Sequence, residues 1–198
     1  MVTCRLNDTD ELRPLEPWHA EDLSACVEAA RDALKPWPFV ASRVRDVESA
    51  RRLLRGFTDR RARDTGHYYG VWSSGRLVGA AMFRTFDTRN QTCEVGVWLI
   101  PTSQGRGLAT RALHRLTDWA IRERGMQRVQ LQTSPHNFAG RDLARRLGMT
   151  HEGTLRSAVT VNETRHDSEI WAVLASEWPG QEEGQAGAAR RRPTDHSC

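Results

Sequence analysis

"CEVGVWLIPTSQGRGLATRAL", residues 93–113, passes from a β-like run through a glycine-rich turn into a helical pattern. From Gly107 to Arg124 the apolar residues Leu108, Ala112, Leu116, Trp119 and Ala120 recur on one face, and Gly125 supplies the stop. Glycines at a strand-to-helix junction bare backbone N–H groups that a phosphate can approach, and the helix dipole adds partial positive charge at the same place. QGRGLAT, residues 104–110, therefore reads as a pyrophosphate cradle. It is not a P-loop, because no Gly-Lys-Ser/Thr follows, and Ala109 comes too early for a dinucleotide GxGxxG. The strand before it, 93–100, carries one acid, Glu94, which alternation places on one face with Gly96, Trp98 and Ile100.

Outward from this unit, the spacing predicts a first strand over 12–17 and a helix over 19–34 with Leu23, Cys26, Val27 and Ala30 inward. LKPWPFV, residues 34–40, is a proline-broken aromatic loop. Asp46 caps a second helix to about Arg63, with Ala50, Leu53, Leu54 and Phe57 on one side. Strands over 67–73 and 76–86 form a hairpin through a Ser-Gly turn. After the central unit come a strand at 128–133, a helix at about 137–147, a strand from Thr150 and a final strand at 167–174. The order β-α-α-β-β-β-α-β-α-β-β implies an α+β domain over 1–178, with a mixed, largely antiparallel seven-stranded sheet flanked by about four helices. Residues 179–198, rich in Gly, Gln, Glu, Ala and Arg, read as a disordered tail.

Composition narrows the function classes. The 198 residues, 38% hydrophobic with seven tryptophans, suffice for one sizeable core. No apolar run reaches the ~18 residues of a membrane span, and the polar N-terminus does not resemble a signal peptide, so the expected location is the cytoplasm. The four cysteines are far apart and the seven histidines form no HxxxH pattern, so no metal is expected. The net charge of +4 is carried almost wholly by arginines interleaved with acids, Lys35 being the sole lysine. That pattern argues against a nucleic-acid partner.

Four stretches together resemble one family: LKPWPFV (34–40), CEVGVWL (93–99), QGRGLAT (104–110) and NFAGRDLARRLGMTHEGTLR (137–156). On these, residues 10–178 are identified as a member of the GNAT superfamily, closest to the RimJ/RimL-type ribosomal-protein N-acetyltransferases. The resemblance implies a GNAT fold, acetyl-CoA as donor cosubstrate, an amine-bearing acceptor (a protein N-terminus or a small molecule) and a homodimer. It implies that the N–H groups of Gly105, Arg106, Gly107, Leu108, Ala109 and Thr110, in the motif opened by Gln104, hold the pyrophosphate. The backbone of Trp98, Leu99 and Ile100 would bond the pantetheine arm, with Asn137 and Phe138 on the opposite side. Trp37 and Phe39 would wall the acceptor site, the competing reading being that they plug the core, and Asp167 would orient a cationic acceptor or serve a turn or strand start.

Acetyl transfer needs a deprotonated amine, donors for the oxyanion and a proton for the departing thiolate. Glu94 is the candidate base; the competing reading is a strand acid paired with an arginine. Two positions depart from the family: its serine aligns with Gly140 and an acidic residue with Val159. These departures keep open a non-catalytic CoA-binding regulatory module, and the chemistry alone also admits an antibiotic or an aminoacyl-nucleic-acid amine as acceptor.

Overall fold

The computed structural model describes residues 3–34, 40–161 and 163–179. Its sheet has eight strands in the order β1-β2-β3-β4-β5-β6-β8-β7. They are β1 (Cys4–Arg5), β2 (Asp10–Pro14), β3 (His67–Ser73), β4 (Arg76–Asp87), β5 (Thr92–Leu99), β6 (Arg128–Thr133), β7 (Thr150–Val161) and β8 (Thr164–Leu174). Every neighbouring pair is antiparallel except β5 and β6. The helices are α1 (Ala20–Leu34), α2 (Val47–Ala62), α3 (Leu108–Arg122) and α4 (Phe138–Arg146).

The expected seven strands become eight. The extra one, β1, is two residues long and pairs with Glu11 and Leu12. It is held by a turn in which Asn7 Oδ1 accepts from the N–H groups of Thr9 and Asp10 at 2.9 and 2.8 Å. A two-residue strand is too short to show a period, so this edge left no pattern to read. The following strand also starts and ends earlier than expected, at Asp10 and Pro14, because Pro17 opens a 3-10 turn.

Two hydrophobic clusters sandwich the sheet. On one face α3 and α4 bury Leu108, Leu113, Leu116, Trp119 and Leu143 against Phe83, Val95 and Leu131. On the other, α1 and α2 bury Leu23, Val27, Leu54 and Phe57 against Tyr68, Met82 and Trp98. Each fully buried leucine contributes about 1.5–3 kcal/mol relative to an exposed one. Asp46 caps α2 as its sequence indicates, accepting from Ser49 N at 2.7 Å. The α1/α2 face is the one that carries Glu94, and α3 is the crossover that makes β5 and β6 parallel. That crossover brings the glycine turn to the end of β5, where the site forms.

Candidate active site

The ladder between β5 and β6 stops early. Its partners run from Thr92 with Arg128 to Val95 with Leu131 and no further. Beyond that point β5 stays paired to β4 as far as Leu99 with Gly79, and β6 stays paired to β8 through Thr133 with Glu169. The two strands thus part company in the middle of the sheet and open a wedge. Ile100 N donates to Val78 O at 2.9 Å, so its main chain faces β4. Main-chain groups alternate sides along an antiparallel strand, which turns those of Trp98 the same way and those of Val97 and Leu99 into the wedge. Leu99 O accepts from Gln104 Nε2 at 3.2 Å. Gln104 therefore ties the glycine turn to β5. The residue the sequence reading passed over is Val97, and strict alternation from Val95 was the signal for it.

At the end of the wedge, Gly105 (φ +74°) and Gly107 (φ +73°) both take the left-handed conformation that glycine adopts without strain. Gly107 is the N-cap of α3 and provides no side-chain cap, so the first-turn N–H groups of Leu108, Ala109 and Thr110 await an acceptor. Arg111 Nη2 donates to Arg106 O at 2.8 Å, and Arg146 Nε reaches Thr110 Oγ1 at 3.4 Å. The guanidinium groups of Arg111 and Arg146 therefore flank a helix mouth that no side chain caps. This chemistry fits a pyrophosphate: the backbone bonds the oxygens and the arginines neutralise charge.

Across the wedge, Asn137 caps α4, its Oδ1 accepting from Gly140 N at 3.0 Å. That leaves its Nδ2 as a donor. Phe138 is 69% exposed at the same mouth, an apolar surface for a pantetheine chain to cover.

The opposite face of β5 carries the charged chemistry. Glu94 is buried, with Oε1 3.3 Å from Arg84 Nη1 and Oε2 accepting from Gln132 Nε2 at 3.4 Å. Burial pushes its carboxyl above the ordinary range, and the Arg84 guanidinium pulls against that rise. Glu94 thus has an arginine partner, as one of the two sequence readings expects, and is at the same time a buried acid. Arg84 lies at an irregularity in the β4–β5 ladder between Phe83 and Thr85, and its Cδ stands 3.5 Å from where a Gly96 side chain would start. Nothing in the local sequence marked that bulge. Trp98 Nε1 donates to Tyr68 OH at 3.1 Å on the same face, and burial raises the Tyr68 phenol far above its ordinary value.

Beside this face, Arg43, Arg52, Arg60, Leu53, Gly56 and Phe57 line a cavity of about 350 Å³. Arg60 bonds the main-chain oxygen of Arg84, so the cavity adjoins the Glu94 pair. Trp37 and Phe39 lie outside the described residues. Asp167 lies on β8, its Oδ1 accepting at 2.8 Å from the N–H of Ser157, a left-handed residue in the irregular stretch of β7. Val159 is exposed on the same strand.

Among the described residues no group of three or more His, Cys, Asp or Glu could hold a metal ion, and no helix is long and apolar enough to cross a membrane. Burial pushes the thiols of Cys26 and Cys93 up to about 12, which suits packing and not nucleophilic attack.

Known proteins share this arrangement. The model of the acetyltransferase (GNAT) domain matches residues 11–150. The putative ribosomal N-acetyltransferase YdaF of Bacillus subtilis (strain 168) is 29% identical over 91% of this chain and 100% of its own. A crystal structure of a probable acetyltransferase superposes with a TM-score of 0.84 at 28% identity, covering 90% of this chain and 99% of that one. RimL, a ribosomal L7/L12 alpha-N-protein acetyltransferase in complex with coenzyme A, shares the fold with a TM-score of 0.83 at 23% identity, over 87% and 97% of the two chains. The family match spans the parted strands and the glycine mouth, and from it we conclude that the chain belongs to the GNAT acetyltransferases and is an acetyl-CoA-dependent N-acetyltransferase.

Proposed function

We propose that the acceptor is the N-terminal amine of a protein whose first residues carry negative charge. The observation behind this reading is the cavity walled by Arg43, Arg52 and Arg60, one residue away from the Arg84–Glu94 pair. Arg60 already has its guanidinium pKa lowered by burial and by the nearby charges of Arg43 and Arg84. An anionic segment docked there relieves that repulsion while its amine reaches toward Gly96. The ribosomal assignment of the YdaF relative supports a protein acceptor.

In this reading the donor lies in the wedge, with its phosphates on the first turn of α3 and its thioester near Val97; acetyl-CoA supplies the activated acetyl group. Glu94 takes a proton from the incoming ammonium, directly or through one water, and its raised affinity for protons suits that task near neutral pH. The N–H groups of Val97 and Leu99 on the open edge serve as donors to the oxyanion. With no activated thiol among Cys26 and Cys93, the amine attacks directly in a ternary complex. We place the reaction in the cytoplasm, where ribosomal proteins are made, and expect a homodimer as in the family.

The test is thiol release with acetyl-CoA against matched peptides whose second to fifth residues are acidic, neutral or basic, alongside polyamines and an aminoacyl conjugate. Acidic peptides should show kcat/KM at least tenfold above basic ones, and Arg52→Glu with Arg60→Glu should invert the order. Equal turnover of acidic and basic peptides, or preference for a polyamine, would refute the acceptor assignment.

A further inference from the structure

Gly140, at the start of α4, is a position where a side chain cannot simply be added. A Cβ there would stand 2.4 Å from Thr133 Oγ1 and 2.8 Å from Asn137 Nδ2. The space is filled by the hydroxyl of Thr133 together with the side-chain amide of Asn137. Thr133 is the last residue of β6, and Val129, Leu131 and Thr133 alternate onto the face covered by α3 and α4. It lies two residues past Leu131, the final β6 partner of β5, and so stands where the wedge has opened. Its own backbone is fixed by pairing with Glu169 of β8.

Thr133 is only 8% exposed. The polar groups around it are engaged with one another. Asn137 Oδ1 caps α4, Gln132 reaches Glu94 on the opposite face, and Glu169 pairs with Arg141 at 3.2 Å while accepting from Trp171 Nε1 at 2.9 Å. None of the hydrogen bonds found among the described residues uses the Thr133 hydroxyl. The residue is packed while its hydroxyl stays clear of these bonds at the opened end of the wedge, which leaves it able to donate to a ligand lying there.

We propose that Thr133 donates its hydroxyl hydrogen bond to the sulfur of coenzyme A and so stabilises the departing thiolate. The inference rests on acetyl transfer in this wedge. In the balanced step, the amine nitrogen forms a bond to the acetyl carbon and the carbon–sulfur bond breaks with its electron pair on sulfur. The proton lost by the nitrogen goes to Glu94 or water, and the thiolate is held by the Thr133 hydroxyl until solvent protonates it. Thr133 keeps its own proton. Gly140 is glycine because the hydroxyl comes from the strand, and a serine on the helix would collide with it.

The test has one arm that needs no turnover. Calorimetry compares binding of coenzyme A and its desulfo analogue at about pH 7 and about pH 9.5, either side of an ordinary thiol pKa. The paired Glu169 and Arg141 are the charged groups packed nearest and are common to both ligands. In the native protein coenzyme A should gain on the desulfo analogue by about tenfold or more as pH rises, within the span of a hydrogen bond to a charged group. Thr133→Val, which preserves shape, should abolish that gain and lower kcat by about ten- to hundredfold with little change in KM for acetyl-CoA. Thr133→Ser should keep both. Gly140→Ser alone should lower Tm and turnover, whereas Thr133→Ala combined with Gly140→Ser moves the hydroxyl from strand to helix and should recover most of the kcat. A folded Thr133→Val that keeps the pH-dependent gain in coenzyme A affinity overturns the proposal, whatever its turnover. So does a double variant that matches the native protein in Tm and coenzyme A affinity yet turns over no faster than Thr133→Ala.

Discussion

Replacing Arg84 by Gln removes a charge 3.3 Å from Glu94 while keeping a side chain of similar reach. Burial raises the Glu94 pKa and Arg84 restrains the rise, so losing the guanidinium must push the pKa higher still. The size follows from the geometry. The Arg84 side chain is 40% exposed and that of Glu94 8%, so the pair is neither fully dry nor fully solvated. Taking bulk water as the weakest case, a 3.3 Å ion pair is worth about 1.3 kcal/mol, close to a tenfold change in the ratio of ionised to protonated carboxyl.

The base must be ionised to accept a proton. Activity therefore falls as pH drops through the Glu94 pKa, and Arg84→Gln moves that fall to higher pH. At a pH on the acid limb the variant should turn over about tenfold more slowly than the native protein, and above the limb the two should converge. Steady-state kcat with saturating acetyl-CoA and a good peptide, measured across the pH range, reads this directly. Glu94→Gln is the companion: it should keep coenzyme A affinity, lose roughly 10²-fold in kcat and show no acid limb from this group. An Arg84→Gln profile that overlays the native one, or a Glu94→Gln variant with near-normal kcat at neutral pH, would leave Glu94 as a structural acid and refute the argument.

Gly79→Ala puts a Cβ 2.2 Å from Trp98 O, a backbone atom that can yield only by moving β5. We expect a loss of about 2 kcal/mol or more, a Tm lower by roughly 5 °C, and weakened coenzyme A binding because the wedge wall shifts. Gly107→Val forces a β-branched residue to φ +73° at the helix mouth and should weaken coenzyme A by about 2 kcal/mol in calorimetry; unchanged affinity in a folded variant removes the phosphate cradle. Gly56→Ala, in the middle of α2 with nothing within 4 Å of the new methyl, should instead raise Tm by roughly 2–3 °C, reflecting about 0.5–1 kcal/mol of backbone entropy. The composition of residues 179–198, poor in apolar side chains to bury, predicts that truncation after Pro179 leaves Tm nearly unchanged. Trp178→Ala, which empties a buried site and a bond to Asp118 at 3.3 Å, should cost about 3–5 kcal/mol.

Wherever a feature is local, the sequence by itself determined it. The glycine turn and the helix after it were legible because φ near +70° and a bare N-terminus are properties of a few consecutive residues, Gly105 to Thr110. Period-two alternation placed Glu94 on the face of Trp98, and Asp46 announced the start of α2. What only the tertiary structure decided depends on residues distant in the chain. The wedge exists because pairing between β5 and β6 ends at Val95 and Leu131, and two strand patterns read separately say nothing about where they part. Arg84 reaches Glu94 through a bulge whose position is set by the β4–β5 register, and the turn geometry lets Gln104 bond Leu99 O. Gly140 looked like a missing hydroxyl in the sequence. Folding brings Thr133, seven positions earlier on another element, into the same space, because side-chain volume is allotted by packing in three dimensions and not by order along the chain.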